Sequence, residues 1–131
     1  FGSLLINIVV SLILDDSLMP ECFFLYYEEL DWSMMFTRTG YEIWYDPACT
    51  VYHKESRTTG QNSPLRTYFI TRNRLLLVKR NYQGINKYLS YLYQIGLVAI
   101  RDIIRYTLQG RYDLVKAVFR GIIHFQSSTF N

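Results

Sequence analysis

Three carboxylates, Glu28, Glu29 and Asp31, follow directly on the aromatic run Phe23-Phe24-Leu25-Tyr26-Tyr27. Aromatic side chains build walls, whereas carboxylates require water, a cation or a proton to exchange. Side by side they describe a carboxylate at the rim of an apolar pocket, where its basicity can be tuned for proton abstraction. A second chemistry-bearing residue, His53, ends another apolar run, Cys49-Thr50-Val51-Tyr52. An imidazole at a strand end is either a metal ligand or a hydrogen-bonded structural residue, and spacing alone leaves both open. The acids are equally ambiguous, because they also suit the positive end of a helix dipole. Arg72-Asn73-Arg74 could meet an anionic group or fasten a helix to its neighbours, with Asn73 capping a nearby loop.

These residues need elements to position them. The apolar run Leu4–Leu14, rich in β-branched residues, predicts a buried strand over about 3–13. At about eleven residues it is too short to span a bilayer. It also lacks the basic leader of a signal peptide. A buried strand so near Phe1 leads us to expect a preceding segment in a larger polypeptide. A helix is predicted from about Glu28 to Thr39, stopped by Gly40 in a left-handed conformation. Strands are predicted at Tyr41–Tyr45 and Cys49–His53, followed by a polar loop containing Ser56–Gly60. Such a loop could cover a bound anion or simply link elements. Ser63 as N-cap and Pro64 in the first turn open a helix reaching about Asn81. Further helices are predicted over about 85–109 and 112–125, separated by Gly110.

The last two helices are amphipathic. Ile85, Leu89, Leu92, Gly96, Ala99, Ile100 and Ile103 fall at helical spacing on one side; Lys87, Ser90, Gln94, Arg101 and Arg105 fall on another. Leu114, Val118 and Ile122 mark a second stripe, with Arg111, Lys116 and Arg120 opposite. Either the pair packs on its own domain, or it lies on an anionic membrane face with its cations among the head groups.

Composition bounds the answer. A chain of 131 residues, half of them hydrophobic, is one ordinary domain rather than a disordered segment. Its two cysteines, Cys22 and Cys49, are too few for a disulfide scaffold and read as buried thiols. Charge is polarised along the chain: residues 1–53 hold one basic and eight acidic residues, and residues 54–131 hold thirteen basic and three acidic. An acidic front half can hold a cation, and a basic, aromatic-rich back half can touch an anionic surface. The basic residues are interleaved with aliphatics and carry no nucleic-acid motif, so nucleic acid is not the expected partner.

The ordered set Phe24-Leu25-Tyr26-Tyr27-Glu28-Glu29, Gly40-Tyr41, Asp46-Pro47 to His53, Ser56 to Gly60, and Tyr68-Phe69-Ile70-Thr71-Arg72-Asn73-Arg74-Leu75 resembles the C-terminal half of family 2 inverting glycosyltransferases, in particular their bacterial rhamnosyltransferase-like branch. The resemblance covers Phe23 through Arg80. It implies an α/β fold, the C-terminal part of a GT-A-like, Rossmann-related domain with a few strands, followed by amphipathic C-terminal helices. Residues 1–82 would form the acceptor side of the catalytic domain, and residues 83–131 a basic helical extension. The family's Asp-x-Asp motif is absent, which implies that the nucleotide-sugar half is missing and that the fragment is inactive alone.

By the same resemblance, Glu29 stands at the general-base position, where Asp is usual, and would take the acceptor proton. Glu28, Asp31 and Trp32 would frame the acceptor sugar, although Trp32 suits a core equally well. His53 would help to hold a divalent metal, Mn²⁺ or Mg²⁺, on the donor diphosphate, and Arg72 or Arg74 would approach that diphosphate or a lipid head group. The implied donor is a nucleotide-sugar such as dTDP-rhamnose or a UDP-sugar. The implied acceptor is a saccharide or lipid-linked saccharide in cell-surface polysaccharide synthesis. The implied location is cytoplasmic, peripheral on the inner face of the plasma membrane. An incomplete sheet would leave an edge that invites self-association into homo-oligomers. The alternative from another class is a non-catalytic helical module docking to a membrane or a partner chain.

Overall fold

Much of the architecture follows from short local signals at helix ends. The computed structural model describes residues 22–44 and 63–127. Within them run α1 (Glu28–Arg38), α2 (Pro64–Asn81), α3 (Gly84–Tyr91), a π-helical segment π1 (Leu92–Ala99), α4 (Ile100–Leu108) and α5 (Tyr112–Ser127). Ser63 caps α2 by accepting from the Arg66 backbone N–H at 3.1 Å, and Pro64 occupies the first turn, where no intrahelical donor is needed.

α1 stops as its sequence predicts. Gly40 takes φ +91°, the Gly40 N–H reaches the Thr37 carbonyl and the Tyr41 N–H reaches the Phe36 carbonyl at 3.0 Å. Phe36 and Tyr41 meet edge to face across this Schellman turn. The same pair of bonds recurs at Gly110, φ +69°, where Arg111 N–H bonds the Tyr106 carbonyl and α4 turns back into α5.

α2 and α5 form the most extensive helix–helix contact. Leu75 and Leu76 from α2 and Leu114 and Val118 from α5 are fully buried. A buried Leu or Val contributes on the order of 1.5–3 kcal/mol relative to exposure, so these side chains dominate the stability of the pair. The two backbones come close together at Gly121, where an added Cβ would lie 2.9 Å from Thr71 Cβ and 3.0 Å from the Tyr68 carbonyl oxygen. A glycine in mid-helix costs about 1 kcal/mol against alanine. Here it permits the two backbones to meet.

α3, π1 and α4 continue into one another without leaving helical dihedrals at Tyr91, Leu92 or Ile100, so they make a single rod. α3 and π1 rest on α2, and α4 packs against α5.

Several expectations are corrected here. The predicted α/β class does not hold: the described residues are all-helical, with no strand among them. Tyr41–Trp44, predicted as the beginning of a strand, follow the Schellman turn as an exposed segment with no strand pairing. Aromatic and β-branched residues favour strands only where a neighbouring strand accepts their ladder bonds, and none of the described residues supplies one. The strands predicted at 3–13 and Cys49–His53, the remainder of Tyr41–Tyr45, and the Ser56–Gly60 loop lie outside the described residues. The helix predicted over 85–109 is present but contains π1. α5 extends to Ser127 rather than ending at Phe125.

Candidate functional site

The acidic cluster occupies the first turn of α1, and its members face different ways. Glu29 is exposed. Asp31 is buried at 3% exposure and pairs with Arg80, Nε to Oδ2 2.9 Å, while accepting a hydrogen bond from Asn81 Nδ2. Arg38 donates to the Asn81 carbonyl at 2.6 Å, so both ends of α1 are fastened to the end of α2. Trp32 is buried, edge-on to Phe36. Glu28 keeps one carboxylate oxygen buried with no hydrogen-bond partner among the described residues. The first turn therefore places Glu28, Glu29, Asp31 and Trp32 together in sequence, with Glu29 exposed and Asp31 and Trp32 buried. His53 lies outside the described residues.

Arg72 and Asn73 hold the segment leading into α1. Asn73 is fully buried, and its amide nitrogen donates to the carbonyls of Phe23 (2.7 Å), Leu25 and Tyr26 (3.0 Å). Arg72 donates to the Cys22 carbonyl and to Asn73 Oδ1. Three carbonyls converge because Phe24, Tyr26 and Tyr27 take positive φ, 61°, 67° and 74°, which side-chain-bearing residues rarely adopt. Burial pushes the Cys22 thiol up from its ordinary value, as befits a free cysteine beside this loop.

Arg74, the next residue along α2, has a different setting. With Tyr27, Tyr82, Ser90, Tyr93 and Gln94 it lines a cleft of 430 Å³ between α2 and the rod. Arg74 Nε and Gln94 Oε1 are both buried with no hydrogen-bond partner among the described residues.

The rod inverts the usual arrangement. A surface helix normally turns its apolar stripe toward the core. Over α3 and the start of π1, the polar residues Lys87, Ser90 and Gln94 are the more covered ones, and Lys87 donates to the Lys79 carbonyl at the end of α2. The apolar residues face outward: Ile85, Leu89, Leu92, Ile100, Ile104 and Leu108 are all more than half exposed. Leu97, Arg101 and Arg105 lie beside this stripe and share a shallow surface depression with Ile100 and Ile104.

Sequence periodicity places Ala99 and Ile103 with the apolar side and both arginines with the polar side. In the structure Ala99 is buried, Ile103 is half-buried and the arginines flank the outward stripe. π1 accounts for the change: a helix closed by i→i+5 bonds turns less per residue than an α-helix, so the faces downstream are rotated relative to an α-helical register. Residues 63–127 carry eleven Lys and Arg against Asp102 and Asp113, so the whole surround is basic.

His124 is exposed on α5 and its Nδ1 lies 3.1 Å from the Tyr68 hydroxyl. Sequence reasoning missed Arg80 as the partner of Asp31, and the Thr71–Gly121 approach. The signal for the latter was a glycine within an otherwise apolar helical stripe.

No protein-family model matches the chain, and no curated protein or solved structure matches it either. Among the described residues, no three His, Cys, Asp or Glu side chains group to hold a metal. The expectation of a GT-A glycosyltransferase fragment is accordingly corrected. Residues 22–44 and 63–127 build an all-helical arrangement instead of the sheet on which that enzyme class depends. The motifs behind the resemblance have local duties in this arrangement. Glu28 and Glu29 open a helix, Gly40-Tyr41 closes it and Arg72-Asn73 clamps a loop.

Proposed function

We propose that this chain is a non-catalytic docking module whose α3–π1–α4 rod lies on an anionic membrane surface. One observation carries the reading: the rod presents its apolar stripe outward while its polar residues Lys87, Ser90 and Gln94 face its own helices. From Ile85 to Leu108 the stripe extends for roughly 35 Å at the α-helical rise. No helix among the described residues is long and apolar enough to cross a membrane, so the rod would lie in the interface.

Magnitudes favour apolar insertion as the main contribution. Each Lys or Arg near an anionic surface is worth about 1 kcal/mol. Each aliphatic side chain fully removed from water is worth about 1.5–3 kcal/mol, and the stripe has at least six. Arg101 and Arg105 would therefore set preference for anionic lipid, and the stripe would set retention. Exchanging Ile100 and Ile104 together for Glu should abolish co-sedimentation with vesicles of phosphatidylglycerol in phosphatidylcholine while leaving helical circular dichroism unchanged. Raising salt should weaken wild-type binding without removing it. A wild-type chain that stays in the supernatant at low salt would refute the reading.

A further inference from the structure

Two side chains that line the cleft between α2 and the rod, Arg74 and Gln94, each hold a buried polar atom, and the two have complementary demands. Arg74 Nε–H is a donor, attached to a cation, and Gln94 Oε1 is an acceptor; neither has a hydrogen-bond partner among the described residues. A buried polar atom left without a partner costs about 1–3 kcal/mol, more when a charge is involved. Two such atoms on side chains lining one cleft thus define what a ligand must bring: an anionic acceptor for Arg74 and a hydroxyl or amine donor for Gln94. No Asp or Glu is among the lining residues, so no carboxylate of the cleft itself meets the guanidinium. Asn86 and Ser90 add further hydrogen-bonding groups, and Leu77 and Val78 provide an apolar floor.

The cleft opens beside the outward stripe. Leu89 and Tyr93 line it and are also more than half exposed on the face assigned to the membrane. Gln94 belongs to π1, and interruptions of this kind recur where a helix must aim a side chain at a ligand. The volume, 430 Å³, is of the size that holds a small polar head group rather than a whole lipid.

We infer that this cleft is a head-group site for an anionic phosphodiester lipid bearing a free hydroxyl, of the phosphatidylglycerol type. The phosphodiester oxygens accept from Arg74, the head-group hydroxyl donates to Gln94, and the acyl chains pass between Leu89 and Tyr93 into the bilayer. This rests on the docking reading above and refines it: the stripe supplies retention, and the cleft selects the lipid.

The test uses the full chain with Arg74→Gln, Arg74→Lys and Gln94→Leu, each checked for unchanged helical circular dichroism. The vesicles contain phosphatidylcholine mixed either with phosphatidylglycerol or with phosphatidylserine at matched surface charge. Wild type should prefer phosphatidylglycerol. Arg74→Gln should lose about tenfold in affinity for it, as expected for a lost charge-assisted hydrogen bond, and should keep its residual binding to phosphatidylserine. Gln94→Leu should lower the preference as well. Arg74→Lys, which retains the charge without Nε, should fall between the two. A soluble probe, glycerophosphoglycerol, should shift the Arg74 Nε–H and Gln94 side-chain amide resonances of the wild type.

If Arg74→Gln and Gln94→Leu bind phosphatidylglycerol vesicles as wild type does, the head-group site is refuted while membrane docking survives. If wild type ignores all vesicles but the soluble probe still shifts Arg74, the docking reading and the lipid source both fall, and the cleft binds a free phosphodiester. An absence of shifts together with an absence of lipid preference overturns the site outright.

Discussion

Two glycines, each within a helix, separate the two halves of this molecule. Gly121 in α5 faces Thr71 and the backbone of α2 so closely that a Cβ would lie within 3.1 Å of three atoms. Gly96 in π1 would place its Cβ at an ordinary 3.6 Å from one flexible leucine methyl. The α2–α5 pair is a built interior, in which a hydrogen atom is the largest substituent that fits. The rod is a surface that happens to be apolar. The difference shows that hydrophobicity in this chain serves two purposes, and that tolerance to added atoms distinguishes them.

The comparison can be broken by mutation, and the largest effect is expected at the interior glycine. Gly121→Ala should destabilise by about 1–3 kcal/mol through overpacking, despite alanine's better helix propensity, as read from the urea midpoint. Asn73→Ala should cost somewhat less, about 1–2 kcal/mol, because it removes the donor to the carbonyls of Leu25 and Tyr26 in a buried place, while the Phe23 carbonyl keeps the Leu25 N–H. The near-ultraviolet signal of the tyrosines in that loop should change with it. Gly96→Ala should move the opposite way, stabilising by up to about 1 kcal/mol, because nothing rigid opposes the new methyl group. Equal destabilisation at both glycines would erase the distinction between interior and surface.

The smallest effect concerns pH. Hydrogen bonds from Arg111 hold the Asp113 carboxyl below the usual aspartate range at the start of α5. A depressed folded-state pKa means that the unfolded chain takes up the proton first. The stabilisation is therefore complete above the ordinary aspartate value, about 4, and is lost as pH falls through the lower folded value. Both groups are exposed, so Asp113→Asn should produce only a slight flattening of the acid limb of a stability-against-pH curve.

Legibility from sequence followed the range of the interaction. Ser63-Pro64, Gly40 and Gly110 marked helix ends correctly because capping is decided within four or five residues. Periodicity told which residues share a face as far as Leu92 but not beyond π1, and it could not tell which face looks outward. That depends on the Lys79 carbonyl at the end of α2, which accepts from Lys87, and on π1 altering the register partway along. The α/β expectation failed for a related reason. Glu28-Glu29, Gly40-Tyr41 and Arg72-Asn73 form an ordered series, yet each does work that a helical arrangement also requires. Asp31, read as part of a pocket rim, found its partner Arg80 across a separation no local pattern reveals.

The Asn73 clamp carries an implication for how the chain is made. Phe23 and Asn73 are 50 positions apart, and the carbonyls of Phe23, Leu25 and Tyr26 all accept from the one side-chain amide of the later residue. During synthesis on the ribosome, the aromatic loop leaves the exit tunnel long before α2 does. It must wait there with its tyrosines and phenylalanines uncovered, so chaperone engagement is expected to be greatest in that interval and to end when α2 emerges.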